Sequence, residues 1–334
     1  MRRVALAFVL ATAGCAAVFG IPSDVEPQTL VDASTDASVE AAPSPPHDDV
    51  FVPAEGGSTG DCSTSMVFEA PEPLTELGGD ADATLDARLS DDELTIYFAA
   101  KRVGDTSFHL NVATRTARDQ AFRTATKVPG IADIGNDTSP SISADGMTLW
   151  WLHDGALQQA QRAKTAEPFG KPVAFKILDD KEQEVSISTP FVRAERPEEV
   201  WFASGKTGVT EPFDVFVGKV TQPVLVRGAK VGAVNDEGKN DQNPVISADG
   251  LTLYFAKVRE PDATNRRFFD IYMAERANPT GAFGAPKKLD ALAGAGPIDT
   301  LPTWISKDSC RLYMWRFFDE TPGTQTVLVA KRRP

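Results

Sequence analysis

The 334-residue chain is poor in the residues that usually carry chemistry: three histidines, three cysteines, five methionines and four tyrosines. So little imidazole leaves few ways to build a general base or a transition-metal centre. His47, His109 and His153 stand far apart, and none has a metal-ligand or serine neighbour at usable spacing, so each reads as a solvated or packed side chain. There is no His-Glu-x-x-His and no phosphate-cradling glycine loop. Positive charge is also short, 34 Lys and Arg against 47 Asp and Glu, for a formal net charge of −13. That balance argues against nucleic acid or an anionic lipid surface as the main partner. The one leading apolar run, Val4 to Ala11, is too short to span a bilayer. Helical periodicity is scarce throughout.

What the chain does have is a repeated short pattern, clearest in QNPVISADGLTLYFAK (242–257) and SPSISADGMTLWWL (139–152). Val245 and Ile246, then Leu251, Leu253 and Phe255, flank Ser247-Ala248-Asp249-Gly250. Asp-Gly between apolar runs marks a hairpin, because glycine tolerates positive φ. Leu251, Leu253 and Phe255 alternate with polar or amphipathic residues at the period of a strand with one buried face. Weaker copies occur at 87–101, 191–205 and 302–316, which places an anchor residue at Ser90, Ser143, Arg193, Ser247 and Ser306. The spacings are 53, 50, 54 and 59 residues (143 − 90, 193 − 143, 247 − 193, 306 − 247), somewhat above the usual period of four-stranded blades. The third copy lacks Asp-Gly and has Arg193-Ala194-Glu195-Arg196-Pro197 instead, which predicts a longer, differently built turn.

A third strand ending in a basic residue follows each hairpin: 109–115, 155–162, 213–219, 269–276 and 326–332. Phe-centred stretches at 121–128, 168–175 and 282–289 then lead to a short fourth strand, with 222–226 as a weaker copy. Four strands in each of five repeats predict an all-β propeller of five blades, with six as the alternative. The last repeat stops after its third strand, while Met66 to Leu77 is an orphan strand-like segment ahead of the first hairpin. Placing that segment as the outer strand of the last blade closes the ring and removes an exposed sheet edge.

The pattern (Asp/Asn)-x-x-Pro-x-φ-Ser-x-Asp-Gly-x-x-φ-aromatic-Phe, where φ is an apolar residue, followed by φ-aromatic-φ-Ala-x-Arg, resembles the WD40-like repeat of TolB-type β-propellers. The match covers roughly 66–334, is good in the second and fourth repeats and poor in the third. The resemblance implies a periplasmic or surface scaffold that recognises other molecules, and it implies no catalytic residue.

Arg2 and Arg3, the apolar run, and Thr12-Ala13-Gly14-Cys15 read as a lipoprotein signal peptide (1–14) with a lipobox that makes Cys15 the lipidation site. Thr12 departs from the Leu usual there. An ordinary secreted protein cleaved nearby is the alternative. Ala16 after the cysteine, by resemblance to that class, favours the outer membrane of a bacterial envelope, facing periplasm or surface. Residues 15–61 form an acidic stretch rich in Ala, Ser, Pro and Asp with no Lys or Arg, expected to be a disordered tether. The domain expected to fold is 62–334. With Cys15 lipidated, Cys62 and Cys310 remain, an even pair in an oxidising compartment. Both fall on the same face of the closing blade, and a disulfide stapling the closure is the expectation, against two separate thiols.

Asp137, Asp241 and Asp299 each stand a few residues before an anchor serine, with Glu184 and Asp82 near the comparable places. Pointing to the axis, they would form a carboxylate collar that holds a cation or a basic peptide. Facing sideways, each caps its own turn. The anchor serines are expected to cap local backbone. The loop Asn235 to Asp241 has oxygen ligands at alternating positions, as calcium prefers, but contains Lys239 and lacks the EF-hand spacing. No other cofactor is indicated. Trp150 and Trp151 must point to opposite faces of a regular strand, one to a blade interface and the other to a groove. The expected function is non-catalytic recognition of protein or peptide by a monomer held to the membrane only by its lipid. The alternative is a carbohydrate-binding or glycoside-hydrolysing propeller using channel-mouth carboxylates.

Overall fold

The computed structural model describes residues 62–79, 81–132, 134–205, 212–236, 239–259, 268–294, 296–318 and 325–332. The expected leader (1–14), Cys15 and the expected tether (15–61) lie outside these residues. All that is described belongs to one unit, Gly57–Pro334.

The strands gather in successive sets in the order the repeats predict. After β1 (Glu72–Pro73) comes the set β2 (Ala81–Leu89), β3 (Thr95–Arg102), β4 (His109–Thr114) and β5 (Thr126–Lys127). The second set is β6 (Asp137–Ile142), β7 (Thr148–His153), β8 (Ala156–Gln161) and β9 (Val173–Ala174). The third contains β10 (Lys176–Leu178), β11 (Ile187–Arg193), β12 (Arg196–Ser204), β13 (Asp214–Thr221) and β14 (Val224–Lys230), with β10 added parallel at the edge of β14. The fourth is β15 (Asp241–Ile246), β16 (Thr252–Val258), β17 (Phe269–Glu275) and β18 (Lys287–Lys288). The last is β19 (Ile298–Ile305), β20 (Arg311–Phe318) and β21 (Gln325–Lys331), completed by β1. The innermost strands β2, β6, β11, β15 and β19 touch one another in cyclic order, β19 returning to β2. The fold is a β-propeller.

Closure follows the sequence expectation. Phe68 bridges Arg332, Glu72 and Pro73 pair with Val329 and Leu328, and the Leu74 amide donates to Val327 O. The end of the predicted strand, Thr75–Leu77, is instead a 3-10 turn that buries Leu77. Cys62 and Cys310 are disulfide-bonded, tying the first described residue to the start of β20 across 248 positions.

The recurrent serines organise their turns locally. Ser90, Ser143, Ser247 and Ser306 each donate to the aspartate two residues on, at 2.5–2.6 Å. Each also accepts the amide of the residue five on: Thr95, Thr148, Thr252 and Arg311. The position after the aspartate needs a left-handed backbone, with φ +69° at Gly146 and +74° at Gly250. Glu93 occupies that place in the first repeat at φ +63°, held there by a two-pronged contact with Arg311 at 2.6 Å on both oxygens. The third repeat departs from expectation. Its turn is shorter, not longer, because Arg193 pairs directly with Arg196 and leaves only Ala194-Glu195 between the strands.

Neighbouring sets are fastened by the basic residue at the end of the third strand. Arg162 lies 4.4 Å over the Phe169 ring, donates to Gly146 O at 2.8 Å, and reaches Tyr97 Oη of the preceding set at 3.1 Å. Arg115 does the same with Phe122, Glu93 O and Tyr313. Arg276 lies over Phe283 and over Trp201, which stands in the tyrosine's place. The cation saturates a carbonyl and a phenol while its flat face covers an aromatic ring. Trp150 and Trp151 do point to opposite faces and both are buried: Trp150 packs on Phe175, ring centroids 4.8 Å apart, in one hydrophobic cluster, while Trp151 belongs to another and lines a cavity.

Candidate functional site

Each innermost strand carries a bulge, between Leu85 and Arg88, Thr138 and Ser141, Ser188 and Phe191, Gln242 and Val245, and Pro302 and Trp304. One extra residue on the inner strand reverses which face the residues before it present. The acidic residues singled out in the sequence all lie on that earlier side.

Asp137 and Asp241 come to equivalent places, six residues before Ser143 and Ser247 (143 − 137, 247 − 241), at the heads of β6 and β15. Both are buried. Neither is engaged as part of a shared ring, because each is paired across its own sheet. Asp137 stands opposite His153, whose Nδ1 is 2.8 Å from Oδ1, and Trp151 Nε1 donates to the same oxygen at 3.0 Å. Burial raises the Asp137 pKa, with His153 and Trp151 acting against the shift. Asp241 stands opposite Lys257, whose Nζ is 3.8 Å from Oδ1 and 2.8 Å from Asp236 Oδ1. The Asp236 amide donates to Asp241 Oδ2 at 2.9 Å. Burial pushes Asp241 up to about 6, with Asp236 and Asp214 adding repulsion and Lys257 opposing it. Lys257 in turn faces Asp270, buried on β17 and met by Arg259 at 3.2 Å and Lys288 at 2.9 Å.

Asp299 belongs to a different position. It lies seven residues before Ser306 and accepts the Phe269 amide at 2.8 Å. Asn136 and Asn240 do the same for Phe108 and Phe213. The true counterpart of Asp137 in the last repeat is Thr300, opposite Arg316. Glu184 is exposed, 3.9 Å from Lys176, and Asp82 is exposed at the start of β2. The structure therefore brings Asp137 and Asp241 to like positions and sends Asp299 and Glu184 elsewhere.

In the loop Asn235 to Asp241, weighed above for calcium, Glu237 and Gly238 lie outside the described residues. Asn235 is engaged with the backbone of Val215 and Val231, and the Lys257 ammonium sits between Asp236 and Asp241. Among the described residues, no group of three or more His, Cys, Asp and Glu could hold a metal ion. The string Gly56-Gly57-Ser58-Thr59-Gly60 has nucleophile-elbow spacing, but it lies outside the described residues and its sequence context is not strand then helix.

Two concavities frame what this surface can do. A cavity of about 230 Å³ opens beside Asp137, lined by Ile131, Ile134, Trp151, His153, Gln158 and Pro172. Its polar floor is the Asp137–His153 pair, and His153 Nε2 lies 3.7 Å from Asp154. A larger groove of about 510 Å³ runs between the first two sets on the turn face, lined by Asp91, Asp92, Asp145, Tyr97, Thr114 and Arg162. It presents carboxylates and hydroxyls over an aromatic wall. A third feature escaped the sequence reading: the axis holds Asp86 and Arg88, both buried. The available signal was a charge two residues before an anchor, where the other repeats have Ser141, Phe191, Val245 and Trp304.

No family model matches the chain, and no curated protein does. Among solved structures, one described as a glycoside hydrolase is similar at TM-score 0.51 and 10% identity, over 82% of this chain and 93% of that one. A putative TolB from Agrobacterium tumefaciens aligns at TM-score 0.39 and 11% identity, covering 81% and 92%. An α-L-arabinofuranosidase from Podospora anserina in complex with cellotriose aligns at TM-score 0.46 and 9% identity, covering 80% and 97%. At such identities the glycoside hydrolase likeness concerns the fold alone.

Proposed function

We propose that the protein is a lipoprotein of the bacterial cell envelope, anchored through Cys15 on a 15–61 tether, whose five-bladed propeller recognises protein or peptide without catalysing a reaction. The observation that carries this reading is the pairing of the mouth carboxylates. Asp137 is held by His153 and Trp151, and Asp241 by Lys257 and the Asp236 amide, so each is engaged within its own blade. A glycoside hydrolase uses two carboxyl groups facing one bond from opposite sides. The broad acidic groove between the first two blades suits a basic or hydroxyl-rich peptide instead. Calcium has no part in this reading.

One observation favours the alternative of a carbohydrate-directed site. The cavity at Asp137 joins apolar and aromatic walls to a carboxyl group whose pKa burial raises, as an acid catalyst requires.

The test is crosslinking of the full protein in its native envelope, followed by mass spectrometry. A reproducible protein partner, lost when Asp91, Asp92 and Asp145 are neutralised together, supports the recognition reading. Glycan cleavage abolished by Asp137→Asn would replace it. Metabolic labelling with palmitate, present in the parent and absent in Cys15→Ala, tests the anchor.

A further inference from the structure

Arg88 is a buried cation at the propeller axis. It is 3% exposed, on β2, with its guanidinium carbon 4.4 Å over the Phe191 ring. Its Nη2 donates to Pro190 O at 3.3 Å, whereas Nε and Nη1, both buried, have no hydrogen-bond partner among the described residues. The nearby acid does not fill that need. Asp86 Oδ2 is turned to Ser139, accepting the amide at 3.1 Å and the hydroxyl at 2.9 Å. A buried charge with unmade hydrogen bonds costs several kcal/mol unless something supplies the partner.

The space for a partner is present. A cavity of about 20 Å³ is lined by Arg88, Ser141, Phe191, Val192 and Trp304, side chains from four innermost strands, so it lies where the blades converge. About 10–15 Å³ admits one water-sized particle. Ser141 Oγ accepts the Val192 amide at 3.4 Å, which leaves its own proton free to be donated. The lining residues therefore carry two unpartnered guanidinium nitrogens and a hydroxyl, set among aromatic and aliphatic carbon. That is a set of donors around a single-atom acceptor.

We propose that Arg88, with Ser141, binds one small monovalent anion of the halide class at the propeller axis. The anion accepts from the open guanidinium nitrogens and links the first, second and third blades through one centre. The site is too small for a carboxylate-bearing ligand, so this assignment is independent of the partner recognised at the surface.

The experiment is diffraction from crystals of the purified full-length protein grown in bromide, with data collected at the bromine edge. An anomalous peak within about 3.5 Å of Arg88 Nε or Nη1 is expected, the ordinary reach of a hydrogen bond to a large anion. A matching titration follows thermal unfolding in bromide against gluconate at fixed ionic strength. A saturable rise in melting temperature is expected in the parent. The half-saturating concentration should rise by at least about tenfold in Arg88→Gln and fall in Asp86→Asn, which removes the adjacent carboxylate. Should Arg88→Gln fail to fold, the parent's anomalous map and the Asp86→Asn titration still decide the matter. Water density with no anomalous signal, or a melting temperature indifferent to halide, overturns the assignment.

Discussion

Arg332 Nη2 donates to Tyr254 Oη at 2.9 Å, joining the last described residue of the chain to the middle of the fourth blade. The same guanidinium lies 4.3 Å over Phe68 of the closing segment and donates to Ser309 O at 3.2 Å. One side chain thus binds the closing segment and the residue after β21 to the neighbouring blade. The arrangement repeats at Arg115 and Arg162, and it gives the arginine that ends the third strand in those sets its physical role; Lys219, which ends the third strand of the third set, is exposed.

Replacing Arg332 by Leu should therefore destabilise the propeller by about 2–4 kcal/mol, since it leaves a phenol and a carbonyl unpaired inside the interface. Tyr254→Phe should cost about 1 kcal/mol, the net value of one hydrogen bond. Urea unfolding of both variants checks the order. Equal losses would show that the phenol contact, not packing on Phe68, dominates.

The Cys62–Cys310 bridge closes a loop of 248 residues, which places it at the upper end of the entropic effect of a cross-link. Cys62→Ser with Cys310→Ser should lower stability by about 2–5 kcal/mol. Deleting 62–77 should lower it further, since β1, Phe68 and the bridge are lost together, whereas deleting 20–60 should leave the melting temperature unchanged. Thermal melts of the three variants beside the parent provide the comparison.

Asp241 gives a pH dependence of definite sign. Its folded pKa, about 6, lies above the ordinary 3.8, so the folded state holds the proton more tightly than the unfolded chain. Stability from this group is full below pH 4 and is lost as pH rises to 6, by at most about 3 kcal/mol at 1.36 kcal/mol per pH unit. Burial raises Asp137 and Asp86 in the same direction. In Asp241→Asn the decline between pH 4 and 6 should flatten, measured as unfolding free energy across that range. An unchanged slope would assign the decline to the other two carboxyl groups.

Gly130 adopts φ +89°, and a methyl group there would stand 2.0 Å from Phe169 O in the next blade. Gly130→Ala should cost more than about 2 kcal/mol, from backbone strain and the clash together. A loss below 1 kcal/mol, by chemical denaturation, would mean that the 128–132 connection shifts freely.

Much of this was readable from the chain because it is local. A serine reaching an aspartate two residues on and an amide five residues on lies within one turn, so Ser90, Ser143, Ser247 and Ser306 declared their role by spacing. The alternation of Leu251, Leu253 and Phe255 declared a strand, and the orphan segment before the first hairpin declared the closure. The error over Asp299 was one of counting. It lies seven residues before its anchor while Asp137 and Asp241 lie six before theirs, and one residue in a strand changes the face.

The sequence by itself determined the repeat, the order of strands, the hairpin turns and the half-cystines available to the closing blade. Only the tertiary structure decided the partners: His153 for Asp137, Lys257 for Asp241, Tyr254 for Arg332, and the axial place of Arg88. The reason is separation. Hydrogen bonds within a turn depend on a few backbone angles, whereas a contact between residues 78 positions apart (332 − 254) depends on how many blades intervene and which way each strand faces after its bulge.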